Sequence, residues 1–228
     1  MTTRVNAWSR SFGRSPDDWW GGHPVTKGIV VAEPDSTGAG ILDAAMRVLV
    51  DFGFRRATVE LTAKHAGLSH MTIYRRWPTK AELFRTAVRR EFTLVFDEAF
   101  DNAAAEESFD DVVLSAFSGI VSAVHNHPLM VRELNTEPEF VLPILTTESG
   151  PVMDAVLGLV VERLSAAAVT TGRTLADPHA LADIFVRLAV SLLLVPDPAR
   201  PMTSREDIKD YARRFLIPLT RSATAVSL

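Results

Sequence analysis

Cysteine is absent from the 228 residues, which excludes disulfides and thiolate metal sites and fits a reducing compartment. Long apolar runs are missing too. The longest, Leu188 to Val195, is about eight residues against the roughly 20 that a membrane-spanning helix needs. The opening MTTRVNAWSRSFGRSPDDWW has no apolar core of signal-peptide length, so a cytoplasmic protein with no membrane partner is expected. The chain shows no β-hairpin signal and no internal repeat. It also lacks a nucleophile–base pair, a glycine-rich phosphate loop and a metal constellation, which points away from an enzyme and leaves no cofactor expected. His125 and His127 beside Pro128 are no exception, because on a helix they diverge by about 200° and no acidic partner has supporting spacing. Glu106, Glu107, Asp110 and Asp111 read as a helix N-terminus complementing its dipole.

What is present is an uneven charge. The chain carries a net −4, yet residues 37–92 hold ten Lys/Arg against five Asp/Glu, while residues 93–228 hold ten against nineteen. A basic module joined to an acidic one is the asymmetry expected when one end meets phosphate. Hydrophobic residues at 47% and charged ones at 23% belong to a folded chain able to bury a core.

Residues 1–36 are rich in Gly, Pro, Ser and Asp without a sustained period, and are expected to form a flexible extension in which only Gly28–Ala32 is suited to extended backbone. Two readings of this arm stand: Trp19-Trp20 docks on the body of the protein, or Arg4, Arg10 and Arg14 follow a DNA groove.

From Thr37 the pattern turns helical and stays so, predicting an all-α fold. Ile41, Leu42, Ala45, Met46, Leu49 and Val50 form one apolar stripe, and Gly53 stands where a left-handed cap would end it. Thr58 caps a second, short helix with Val59, Thr62/Ala63 and Ala66 inward. Gly67-Leu68-Ser69 makes a turn, with Leu68 plugging the core and Ser69 capping a third helix from His70 to Trp77 that turns Ile73 and Trp77 inward. Pro78 stops it, and Thr79-Lys80-Ala81-Glu82 is a capping box for a fourth helix. Further helices are predicted over Ser108–His127, Pro128–Asn135, Gly150–Thr171, Asp177–Val195 and Ser204–Arg221.

Two short helices about a glycine turn make a helix-turn-helix, whose second helix enters the major groove. With Ile73 and Trp77 inward, His70, Met71, Thr72, Arg75 and Arg76 are left on the outer side, and the Tyr74 hydroxyl can reach a phosphate. Thr58 and Lys80 sit at helix N-termini, where backbone N–H groups favour a phosphate oxygen, and Ser69 opens the recognition helix itself. Arg55 and Arg56 add general attraction.

The run ILDAAMRVLVDFGFRRATVELTAKHAGLSHMTIYRRWPTKAELF, Ile41 to Phe84, resembles the N-terminal domain of tetracycline-repressor-like (TetR-family) regulators. The resemblance is carried by Phe52-Gly53-Phe54, Thr58-Val59, Ala66-Gly67-Leu68-Ser69, Thr72-Ile73-Tyr74 and the Trp77-to-Lys80 step followed by Leu83. Thr62 departs from the family's branched apolar residue and Trp77 from its Phe, and the long segment before Thr37 is not part of the pattern. The resemblance implies a DNA-binding domain over 37–90 and a helical ligand-binding and dimerisation domain over 91–228. It implies a homodimer reading a pseudo-palindromic operator in double-stranded DNA, released by a small hydrophobic or amphipathic inducer. The alternative is a DNA-binding regulator or activator without an inducer. The dimer interface is expected from about Asp177–Val195 and Ser204–Arg221. The wide apolar face of Leu181, Ile184, Phe185, Leu188, Leu192 and Val195 suits either a dimer contact or a central core helix.

Overall fold

The structure is a computed structural model that describes residues 34–146, 150–195, 202 and 204–222, with side chains at 140, 150–152 and 221–222 excepted. The expected arm with its arginines, Trp19-Trp20 and Gly28–Ala32 lies outside the described residues. Eleven helices and no regular strand are found among the described residues. They divide into two compact units, one built from residues up to Glu91 together with Arg132 onward to the 140s, the other from Phe92–Val131 and the chain from Gly150 on. The boundary thus differs from a single cut near residue 90. Segment 132–146 clusters with the N-terminal unit although it lies far along the chain.

In the first unit, α1 (Ser36–Arg56) presents Ile41, Leu42, Ala45 and Leu49 to the core, all fully buried. Its N-cap is Asp35, whose carboxylate accepts the Gly38 N–H at 2.9 Å, so the helix opens slightly before Thr37. Gly53 has the predicted positive φ, but at φ 76°, ψ 167° it breaks the helix and one further turn runs on to Arg56. That backbone region is essentially reserved for glycine. A Cβ there would also lie 3.0 Å from Arg132 Nε and from Glu133 Oε1. The break frees the Phe54 N–H, which donates to Glu133 Oε1 at 3.3 Å. Glu133 is fully buried, and its other oxygen has no hydrogen-bond partner. Burial, chiefly, pushes its pKa up to about 7, against the pull of the Phe54 N–H and of Arg132; Glu137 and Glu139 add to the rise.

Helix α2 (Val59–Ala66) packs on α1. Thr62, the departure from family habit, is fully buried with its hydroxyl donating to the Thr58 carbonyl at 3.1 Å, so the polar atom is satisfied within the helix. Helix α3 (His70–Tyr74) follows, then α4 (Lys80–Ala103), which opens on the expected capping box. The Thr79 hydroxyl accepts the Glu82 N–H at 3.1 Å, and the Glu82 carboxylate accepts the Thr79 N–H at 3.2 Å. Helix α6 (Pro128–Thr136) contributes to both units, and α7 (Pro138–Leu145) completes the first. Sequence reasoning missed α7: Glu137 makes no side-chain cap, and Pro143 inside it reads as a breaker.

The second unit holds the rest of α4 with α5 (Phe109–His125), α8 (Gly150–Thr170), α9 (Pro178–Leu194), α10 (Arg205–Phe215) and α11 (Ile217–Ser222). Its core centres on Phe117, which meets the Phe185 ring edge-on at 4.9 Å, with Phe100 stacked against Phe185 at 6.5 Å. Arg205, the first residue of α10, donates to the Ser115 carbonyl on α5 at 3.1 Å. The last predicted helix is two, divided at Leu216, because Pro218 has no N–H to continue the ladder. No helix among the described residues is long and apolar enough to cross a membrane.

Candidate nucleic-acid interface

The site is built on two capped helices. At the start of α2, the Thr58 hydroxyl accepts the Leu61 N–H at 3.2 Å. At its end, Gly67 adopts the left-handed conformation, φ 67°, ψ 28°, and the Leu68 N–H returns to the Ala63 carbonyl at 3.0 Å, a Schellman closure. A Cβ on Gly67 would meet nothing within 4 Å, so the turn requires glycine for its backbone and not for space. Leu68 is half-buried and no complete plug. Ser69 then caps α3, accepting the Thr72 N–H at 3.2 Å and sharing a 3.0 Å hydroxyl contact with Thr72.

Helix α3 has five residues and ends at Tyr74, three short of the predicted Trp77. The chain continues as a turn in which the Arg76 and Trp77 N–H groups both reach the Ile73 carbonyl at 2.9 Å. Ile73 is fully buried, whereas Trp77 is only half-buried, a partial correction to its expected inward place. Outward lie His70, Met71 at 66% exposure, Tyr74 and Arg75, with Thr72 half-covered. The His70 ring stands edge-on to Tyr74 at 6.4 Å. Lys80, at the first position of α4, holds its ammonium 5.9 Å from the Phe84 ring centre. Thr58, Ser69, His70, Met71, Thr72, Tyr74, Arg75 and Lys80 therefore belong to the ends and outer side of one small motif, and none of their side chains is buried.

Two acidic residues that sequence reasoning passed over are also here. Glu60, in the first turn of α2, is exposed. Its carboxyl is held below the ordinary range by its own backbone N–H and the Thr58 hydroxyl, with smaller help from nearby His70 and Lys80. Asp35 grips Arg76 through two parallel hydrogen bonds, Nη1 to Oδ1 at 2.7 Å and Nη2 to Oδ2 at 2.9 Å. This contact, and secondarily the Gly38 N–H, holds the Asp35 carboxyl below the usual range and pushes the Arg76 guanidinium up. Asp35 was detectable only as a good N-cap residue just ahead of the helical pattern. Nothing local pairs it with a residue 41 positions on.

Among the described residues, no group of three or more His, Asp or Glu is placed to hold a metal. His127 instead accepts the Leu129 N–H at its Nδ1, 3.2 Å away, and leans on Phe92 with ring centres 5.0 Å apart.

Two capped helices about a left-handed glycine, the second anchored by one isoleucine and polar outside, define a helix-turn-helix protein. Residues 41–87 match the profile of the "Bacterial regulatory proteins, tetR family". Among curated proteins, the DNA-binding transcriptional repressor TetR of Mycobacteroides abscessus is 38% identical over 72 residues, 32% of this chain; the chain spans 38% of that protein's length. The HTH-type transcriptional regulator YhgD of Bacillus subtilis is 22% identical over 184 residues, 78% of this chain and 93% of that one. Among solved structures, the TetR family repressor AlkX of Dietzia sp. has a TM-score of 0.60 at 18% identity, covering 82% of this chain and 96% of that chain. The fatty acid degradation regulator FadR of Bacillus halodurans has a TM-score of 0.57 at 16% identity, covering 81% and 96%. At such identities the structures establish the fold. Over residues 41–87 the chain is thus similar to the N-terminal domain of tetR-family regulators, and the solved structures extend the likeness of fold to most of the rest.

Proposed function

We propose that this protein is a homodimeric repressor that binds a pseudo-palindromic operator through α3 and leaves it when a small amphipathic molecule enters the second unit. The observation that carries the reading is the outer side of α3. His70, Met71, Thr72, Tyr74 and Arg75 stand clear of the core while Ile73 alone of the helix is fully buried. An exposed Met at 66% beside a histidine and an arginine suits a major groove, where apolar atoms meet thymine methyls and cations meet guanine. Thr58, Ser69 and Lys80 at helix starts then take phosphates and fix the register. The repressor named TetR that is 38% identical over 72 residues supports the same assignment.

Dimerisation is supported by apolar side chains left in solvent on the last helices: Ile184 on α9, Phe215 on α10 and Leu219 on α11. The adjoining side of α9 buries Leu181 and Phe185 in the core, so its wide apolar surface suits both of the roles the sequence leaves open. Inducer binding is supported by a cavity of about 150 Å³ within the second unit, lined by Phe100, Val112 and Ala167 with Arg163 and Thr171 among its polar groups. A space of this size admits a benzene-sized group, beside Arg163, which pairs with Asp97, and Thr171, whose hydroxyl donates to the Ala167 carbonyl at 2.7 Å.

Titrating duplex DNA from beside the protein's own gene tests the reading. A retarded complex should form, and its affinity should fall by orders of magnitude between about 50 and 200 mM salt as phosphate contacts are lost. Repeated with a metabolite panel, a compound that raises the melting temperature should also release the duplex, since it favours the conformation that binds it better. A complex that no compound loosens would favour the regulator without an inducer. Absence of any specific complex at low salt would contradict DNA binding.

A further inference from the structure

A five-residue helix has almost no stability of its own, and here Ile73 is the single side chain of α3 that is fully buried. Something more must fix the angle at which its outer side meets DNA. The described structure contains a second tether. Immediately after α3, Arg76 is bound by both oxygens of Asp35, and Asp35 in turn is the N-cap of α1, its Oδ1 accepting the Gly38 N–H. A planar guanidinium meeting a carboxylate through two parallel bonds restrains direction as well as distance. The approach is close. A Cβ added at Gly38 would fall 2.8 Å from Pro34 Cβ, 2.9 Å from Asp35 Oδ1 and 3.4 Å from Arg76 Nη1, so glycine is what lets the clamp lie against the first turn of α1. The charges also suit their places, an anion at the start of one helix and a cation just past the end of another.

Resting on the DNA-binding reading above, we propose that Arg76 is a positioning residue and not a DNA contact, and that Asp35, through it, sets the specificity of the recognition helix. The two roles predict opposite signs. If Arg76 worked on DNA directly, Asp35 would compete with phosphate, and removing its negative charge would tighten binding to every duplex. If the pair is a strut, removing either member lets α3 tilt. The preferred sequence then loses affinity while unrelated DNA, held by phosphate contacts alone, loses little or gains.

The experiment starts from the duplex that the full-length wild-type chain enriches from a random-sequence pool. Affinity for that duplex and for an unrelated one is measured for Asp35→Ser, Arg76→Met, Arg76→Lys and the Asp35→Ser/Arg76→Met double variant. Serine keeps a good N-cap oxygen but cannot reach Arg76, and lysine keeps the charge without the planar fork. Each single variant should bind the enriched duplex about tenfold more weakly and discriminate less, with melting temperature nearly unchanged because exposed ion pairs add little stability. The double variant should be no worse than either single one. The proposal is overturned if Asp35→Ser binds the enriched duplex as tightly as wild type or better, or if Arg76→Lys retains full affinity. It is equally overturned if Arg76→Met lowers the salt slope by about one with equal losses on both duplexes, the signature of a lost phosphate contact. Should the wild-type chain enrich no duplex at all, the DNA-binding reading itself fails, a result distinct from these.

Discussion

At pH 8 the Glu133→Gln variant should be more stable to urea than the wild-type protein by about 1–3 kcal/mol, and at pH 4, below both the unfolded and the folded pKa, the two should unfold nearly alike. Glu133 is fully buried, one oxygen accepts the Phe54 N–H, the other has no hydrogen-bond partner, and Arg132 Nε is 3.9 Å away, beyond hydrogen-bond reach. Desolvation raises its pKa from an ordinary 4.5 to about 7. The folded protein therefore keeps a proton that the unfolded chain has already released between those values. In that window the folded state binds more protons, so stability falls as pH rises, and above about pH 7 the loss is complete and constant. At about 1.4 kcal/mol per unit, the full penalty is bounded near 3 kcal/mol. Glutamine keeps an oxygen for Phe54 and never ionises, so its curve should be flat where the wild type descends. Urea midpoints from pH 4 to 8 measure this. A wild-type protein with no descent across the window would show that the buried carboxyl is not perturbed.

The second large effect concerns Ile73. Truncation to alanine removes the one fully buried side chain of α3 and should cost about 2–5 kcal/mol, the range for large-to-small changes in a packed core. DNA affinity should collapse with it, because the outer residues of α3 are held in place by that anchor. Circular dichroism melts read the first effect and fluorescence anisotropy of a labelled duplex the second. An Ile73→Ala protein that melts like wild type would mean the helix is fixed by other contacts.

What could be read from the sequence divides along physical lines. Helix starts were legible because their causes are local. Thr58, Ser69, Thr79 with Glu82, Ser108 with Asp111, Asp177, and Ser204 all accept from N–H groups three residues on, and that spacing is written in the chain. The buried side of α1 was equally plain in its period. Less visible was whatever depends on distant partners. Asp35 and Arg76 are 41 residues apart, and Phe54 and Glu133 are 79 apart. Neither pair leaves a periodic trace, so Arg76 looked like one more outward cation and Glu133 drew no notice. The return of segment 132–146 to the first unit is hidden for the same reason. Helix α7 failed on local grounds, lacking a side-chain cap and carrying Pro143. The break before Pro218 was legible in principle, since a proline two residues into a helix marks a start.

The most direct measurement is a duplex titration of a variant in which His70, Thr72 and Arg75 are all alanine, set beside its thermal unfolding. These side chains are exposed or half-covered, so the melt should match wild type within a degree or two, while affinity for the enriched duplex falls to the level of unrelated DNA. Undiminished sequence-specific binding by this correctly folded variant would place the reading surface elsewhere.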